Sequence, residues 1–213
     1  EFAFKTDVTK KNVIKVYYES TKEDGRNESY DNTAVDFKLT VTPITKAMMQ
    51  GFNISSKGNV DWALFGAKDV SSVIRKKDGK GLIGNISSDD KNFGFNDNYE
   101  VVWSDGDTYE QGKSTNGIVS KRNFHLTLKT EAGAGKTFYT LYVGGWKSVA
   151  KITVRDRAGN VKTLTFGDLT SNYYRQIIIE CDSDKASELY INYSILCGEN
   201  ITFSSATVSR STK

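Results

Sequence analysis

The chain has 213 residues, 38% of them hydrophobic and 26% charged, enough apolar side chain for a sizeable core and too much for a disordered polymer. Lysine and arginine total 29 against 26 acidic residues, and this formal charge of +3 is too even to argue for nucleic acid or an anionic membrane. No apolar run approaches the roughly 18 residues that cross a bilayer, and one histidine with two cysteines excludes a His-rich or four-Cys zinc site.

Strands are read from apolar residues at every second position. Val13 to Tyr18 is the first such run, followed by a polar stretch from Glu19 to Ala34 that is long for a connection within a compact domain. Val35, Phe37, Leu39 and Val41 then alternate with polar residues, and Pro43 follows. Short helices are expected near Thr45 to Gly51 and Ala67 to Ile74, and a strand over Tyr99 to Trp103. Phe124, Leu126 and Leu128 alternate with His125 and Thr127, which turns the lone histidine away from the apolar face. Six more runs follow: Phe138 to Val143, Ile152 to Val154, Val161 to Phe166, Ile177 to Cys181, Leu189 to Leu196 and Ile201 to Val208. Turn clusters such as Asp78-Gly79-Lys80-Gly81, Asp105-Gly106-Asp107 and Ala158-Gly159-Asn160 separate the runs.

About ten short strands with such turns predict an all-β, antiparallel sandwich. Residues 1–50 are read as an N-terminal strand-pair extension, either the tail of an upstream module or an arm on the main domain, and 51–213 as the sandwich. The first residue is Glu1 and not Met, from which a fragment of a larger multidomain protein is expected. A hairpin about Lys185 would set Cys181 opposite Leu189 and not Cys197, so two buried, unbonded thiols are expected, with a bridge left open if the strands pair otherwise.

Several short segments recur in a telling order: Asp61 to Gly66 (DWALFG), Ser71 to Lys77 (SSVIRKK), Tyr99 to Gly106 (YEVVWSDG), Ser114 to Ile118 (STNGI), Phe138 to Trp146 (FYTLYVGGW), Ala150 to Asp156 (AKITVRD) and Asn200 to Val208 (NITFSSATV). Over about residues 52–208 this series resembles the galactose-binding-like, jelly-roll carbohydrate-binding modules attached to secreted bacterial glycan-degrading enzymes and surface proteins. The resemblance implies a jelly roll, recognition of a plant, mucin or microbial glycan, and a secreted or cell-surface location. It requires no cofactor, although modules of this kind often carry a structural calcium. Because one fold serves several ends, a spacer or protein-interaction (adhesin) module without a sugar site, and a small glycan hydrolase or lyase, stand as alternatives to a non-catalytic binding module.

Sugar recognition needs an aromatic face for the C–H patches of a pyranose, with carboxylates, amides or Arg for its hydroxyls. Trp103, Asp105, Asp107 and Tyr109 supply these parts within seven residues, against the competing reading of a core indole with turn-forming aspartates. Trp146 follows Gly144-Gly145, where glycine lets the backbone bend and the indole leave the sheet. Trp62 is a further ligand candidate, although in the resembling modules it looks structural, and Arg75 joins the set as a basic partner for a hydroxyl or acidic sugar. Asp89, Asp90, Asn96 and Asp97 gather hard oxygen donors of the sort calcium prefers, without EF-hand spacing. Ala132 to Thr137 (AGAGKT) has Thr130 where a phosphate-binding loop needs glycine and joins two strands, so nucleotide binding is rejected. No GxSxG elbow accompanies His125.

Overall fold

The computed structural model describes residues 34–49, 51–90, 92–95, 100–182 and 185–210. The expected strand at Val13 to Tyr18 lies outside them. In chain order the elements are β1 (Asp36–Pro43), α1 (Lys46–Met49), α2 (Ile54–Lys57), β2 (Asp61–Phe65), β3 (Val73–Arg75), β4 (Asn92–Phe95), β5 (Val101–Trp103), β6 (Gly112–Ser114), β7 (Asn116–Ser120), β8 (Asn123–Thr130), β9 (Thr137–Asp156), β10 (Val161–Asp182) and β11 (Ser187–Arg210). The strand pairs are antiparallel, and the protein is an all-β sandwich as its alternating pattern predicts.

Three strands of 20, 22 and 24 residues, β9, β10 and β11, span both layers. In one layer the order is β1-β10-β9-β11-β2-β3, using residues 175–182 of β10, 137–143 of β9 and 205–208 of β11 where it meets β2. In the other, residues 161–168 of β10, 148–156 of β9 and 187–195 of β11 continue the same ladders, with β8 at the side of β11. Six expected strands are therefore three long ones, each folded over at its middle. Phe37, Leu141, Ile177, Ile179 and Val208 from the first layer pack with Leu126, Leu128, Ile152, Val154, Leu189 and Ile191 from the second, which is the buried core.

The bends align. Ser148 of β9 pairs with Asp168 on one side and Gly198 on the other, and register shifts fall between Asp168 and Asn172 and between Ile195 and Cys197. Gly198 has φ +102, and a Cβ there would stand 2.0 Å from the Lys147 carbonyl oxygen, so glycine alone allows β11 to pass that close. Lys147 itself has φ 43, a left-handed conformation unusual for a non-glycine residue. It changes the parity of β9: Leu141 and Val143 point into the core before the bend, and Ser148, Ala150, Ile152 and Val154 after it.

A second apolar cluster covers the outer face of the first layer. Phe52, Ile54, Ile74, Val101 and Trp103 close over Trp62, Leu64, Tyr142 and Tyr174. β2 is consequently buried at all five residues, which accounts for its unbroken apolar run from Trp62 to Phe65. Asn53 caps α2 beneath this lid, its Oδ1 accepting from the Ser55 and Ser56 amides at 2.9 and 3.3 Å.

Three expectations change. The helix expected over Ala67 to Ile74 is a turn held by the Asp69 carboxylate on the Ser71 and Ser72 amides, followed by β3. β1, assigned to the N-terminal extension, pairs with β10 over eight residues, and Val35 and Phe37 belong to the core, so that arm is part of the sandwich. Strands β10 and β11 are not neighbours: Cys181 faces Thr137 and Phe37, and Leu189 faces Leu128 and Asp156. Both thiols are unbonded, but only Cys181 is buried, because the register shift at the bend turns Cys197 outward. His125 is exposed, opposite Asn192 and Ser87.

Candidate functional site

Of the residues singled out in the 103–109 loop, Trp103 is buried, Asp105 half-buried, and Asp107 and Tyr109 exposed. The Trp62 indole is 0% exposed and its Nε1 donates to Asp105 Oδ1 at 2.8 Å. Asp105 also accepts from the Ser55 hydroxyl and the Lys76 ammonium. Burial alone would raise the Asp105 pKa, but hydrogen bonds from Lys76, Ser55 and Trp62 outweigh it and hold the carboxyl below its ordinary value. Trp103, 6% exposed, donates from Nε1 to the Tyr109 carbonyl at 2.8 Å. Asp107 takes the Arg75 and Thr108 amides at 3.0 and 2.6 Å. The Arg75 guanidinium spans the Ile83 and Gly84 carbonyls and Asn85 Oδ1 at 2.6, 3.1 and 2.9 Å.

Trp62, Trp103, Asp105, Asp107 and Arg75 thus fasten the lid to β2 and β3; the burial of the Trp62 and Trp103 indoles corrects the expectation that these two rings face a ligand, whereas Asp107 is exposed and Asp105 and Arg75 are half-buried. The physical reason is that the 44–57 and 100–114 segments cover this face and consume its polar groups. Tyr109 is 41% exposed with the Lys68 ammonium 3.7 Å from its ring centroid, away from the groove that Trp146 lines. Of the calcium candidates, Asp90 accepts from the Ser120 hydroxyl and the Lys121 amide, and Asp89 from Asn123 Nδ2 at 3.4 Å. Asn96 and Asp97 lie outside the described residues, and among the described residues no three His, Cys, Asp or Glu side chains gather as a metal site.

Trp146 differs from the other two tryptophans. It is 44% exposed and lines an open groove of about 250 Å³ together with Val119, Gly145, Asn172, Tyr174, Asn200 and Thr202. Strand register builds this groove in two rows. Asn172 of β10, Trp146 of β9 and Asn200 of β11 are directly paired across the sheet. Two residues along, on the same face, Tyr174, Gly144, Thr202 and Val119 form the next row across β10, β9, β11 and β7. Gly144 is buried between them: a Cβ there would lie 2.7 Å from the Tyr173 carbonyl oxygen and 2.9 Å from both Thr202 Oγ1 and Tyr174 Cδ1, so glycine lets Tyr174 and Thr202 close over that strand.

The supports beneath these rows are hydroxyls. Tyr193 Oη donates to the Gly144 carbonyl at 2.7 Å, Tyr173 Oη lies 3.3 Å from it, and Ser148 Oγ joins Tyr173 Oη at 3.2 Å while donating to the Asn200 carbonyl at 2.6 Å. Burial pushes the Tyr193 phenol well above its ordinary pKa, so it remains a donor. Beside the groove, Asp168 accepts from the Thr170 and Ser171 amides and hydroxyls. Those bonds lower its pKa to about 2 and fix the bulge from which β10 re-enters at Asn172. The Lys147 ammonium sits over the Trp146 ring, 5.3 Å from its centroid.

Chemically the lining is an indole, a phenol, two amides, a hydroxyl and a valine on a rigid floor. None of these groups titrates near neutral pH when unperturbed. An aromatic face flanked by planar amides suits a ring with C–H patches and edge hydroxyls. Sequence reasoning found Trp146 through its glycine pair but missed Asn172, Asn200, Thr202, Tyr174 and Val119, because their meeting depends on strand register.

No protein-family model matches the chain, and no curated protein matches it. Among solved structures, the carbohydrate-binding module TmCBM61 in complex with β-1,4-galactotriose is 13% identical, with a TM-score of 0.39 over 60% of this chain and 88% of that one. The enzymatically active domain of tailspike protein 4 from bacteriophage CBA120 is 12% identical, with a TM-score of 0.35 over 60% of this chain and 19% of its own. A glycoside hydrolase family 43 arabinoxylan arabinofuranohydrolase from Bacillus subtilis, in complex with cellotetraose, is 14% identical, with a TM-score of 0.32 over 56% of this chain and 27% of its own. Likenesses this distant leave the functional reading to the groove.

Proposed function

We propose that the protein is a non-catalytic glycan-binding module that holds a larger secreted or cell-surface protein against carbohydrate. The observation that carries this reading is the half-exposed Trp146 with Asn172 and Asn200 paired to it on either side. A pyranose laid on the indole, with the Lys147 side chain swung aside, buries its apolar face, while the two amides, each a donor and an acceptor, take hydroxyls at the ring's edges. The groove's lining contains no carboxylate, a composition suited to binding and short of the acid pair that glycoside hydrolysis employs. With so few contacts per sugar the isolated module should bind with Kd on the order of 0.01 to 1 mM.

The test is a glycan array followed by titration monitored by tryptophan fluorescence, with β-1,4-galactotriose among the first probes. Trp62 and Trp103 are buried, so a change in emission reports Trp146. Trp146→Ala should weaken binding by roughly tenfold or more, about 1.4 kcal/mol, and leave the thermal midpoint nearly unchanged because the side chain lies at the surface. An array without signal, or an affinity indifferent to Trp146→Ala, overturns the proposal.

A further inference from the structure

We infer that the groove takes the terminal residue of a hexose chain and not an internal stretch, an inference that rests on the glycan reading above. On the outward face of β9 Trp146 is exposed, and the next position, Gly144, is buried where Tyr174 and Thr202 close over it. The next, Tyr142, is 2% exposed, with Phe52 seated on it at a ring-centroid distance of 4.7 Å. The floor is thus one two-residue step long, about 7 Å, and ends against the lid. At its other end the strand turns away through Lys147, whose φ is 43. A chain entering past Trp146 meets the covered sheet after one ring.

Volume and width agree with that length. The groove's roughly 250 Å³ falls below the range of about 300 to 1,000 Å³ usual for drug-sized ligands. Tyr174 and Val119 stand at the flanks of the second row. Across the first row, Asn172 and Asn200 are two strand spacings apart, about 9.5 Å between backbones. One ring fits between two amides at that distance, each reaching an opposite edge. A hexopyranose bears hydroxyls on both edges through its exocyclic C6 group, whereas a pentopyranose lacks that group. The Lys147 ammonium, 5.3 Å from the Trp146 ring centroid, is a partner for a sugar hydroxyl or a uronate carboxylate alike.

Calorimetric titration of the whole chain with free oligosaccharides of one to six units from β-1,4-galactan, β-1,4-mannan and β-1,4-glucan tests this, with xylan oligosaccharides as the pentose comparator. For a hexose series that binds, Kd should change by less than about threefold between two and six units. Capacity for the parent polysaccharide should rise in proportion to chain ends after partial endo-cleavage. A Kd falling tenfold or more from two to six units, or a capacity that follows polymer mass, overturns end capture while leaving glycan binding intact. Equal affinity for xylan oligosaccharides overturns the hexose assignment. No heat with any series, nor signal on the array, overturns the glycan reading itself, and length-independent binding that survives Trp146→Ala overturns the groove as its seat.

Discussion

The Trp62 indole and the Asp105 carboxylate meet at 2.8 Å, and loss of that carboxylate would leave an indole N–H without a partner in the second core. Asp105→Ala should therefore destabilise the fold by about 1–3 kcal/mol, the usual penalty for an unpaired buried donor. Its effect on groove affinity should be small, since the 103–109 loop does not line the groove. The pH dependence has a definite sign. The folded-state pKa of Asp105 is lowered, so its contribution is present above the ordinary aspartate value near 3.8 and is lost as pH falls through the folded value. Asp168, at about 2, acts in the same direction. Asp61 acts oppositely: burial raises its pKa despite the Leu82 and Trp62 amides, so its share of stability declines as pH rises through that raised value. Denaturant melts between pH 5 and 2 should lose stability less steeply in Asp105→Ala than in the wild type, and parallel curves would refute the assignment. At Lys147 the strain is in the backbone. Lys147→Gly should relieve a positive φ and raise stability by about 0.5–1 kcal/mol in the same assay.

The shared bend decides how the long strands read. Each half of β9, β10 and β11 was legible as alternating apolar residues, but Gly-Gly, Gly-Asp and Cys-Gly at their middles carry the local signature of chain-reversing turns. What distinguishes a bend from a reversal is whether the neighbouring strands bend at the same level, and that information is spread over three distant segments. The same distance hid the groove's amides. Trp146 announced itself through the glycines before it, while Asn172 and Asn200 looked like ordinary polar strand residues until register set them beside it. Trp103 misled for a related reason: turn composition predicts a loop but says nothing of whether that loop lies over a sheet. Gly198 offers the sharpest test at this scale. Its φ is +102 and a Cβ would stand 2.0 Å from the Lys147 carbonyl oxygen, so Gly198→Ala forces both strands to shift. A loss of about 3 kcal/mol or more is expected by denaturant unfolding, with groove affinity falling in the fraction that remains folded, because Asn200 is two residues away. A stability within about 1 kcal/mol of wild type would mean that the bend yields easily.

At the scale of the molecule the question is where the folding unit begins. Composition places a boundary near residue 50, after a long polar stretch and Pro43, yet β1 closes one edge of the sheet along the whole of Asp36 to Pro43. Val35 and Phe37 are 3% and 2% exposed within the main core, and the Val35 amide donates to the Asp156 carboxylate, at 2.9 Å, at the far end of β9. A fragment of residues 51–213 forfeits those two side chains, about 1.5–3 kcal/mol each on full burial, and exposes the ladder edge of β10 from Arg175 to Asp182. That loss of roughly 3–6 kcal/mol is comparable to the whole stability of many domains, about 5–15 kcal/mol. The fragment should accordingly be marginal or aggregate, and its unfolding free energy should fall below that of the full chain by at least about 3 kcal/mol. The groove lies at the bend, where the carbonyl of its Tyr174 accepts from the Ile44 amide at 2.9 Å, so whatever fraction of the fragment folds should still bind glycan, more weakly than the full chain. Equal stability of the two forms would make β1 an appended arm; a folded fragment without glycan affinity would make β1 a support of the site.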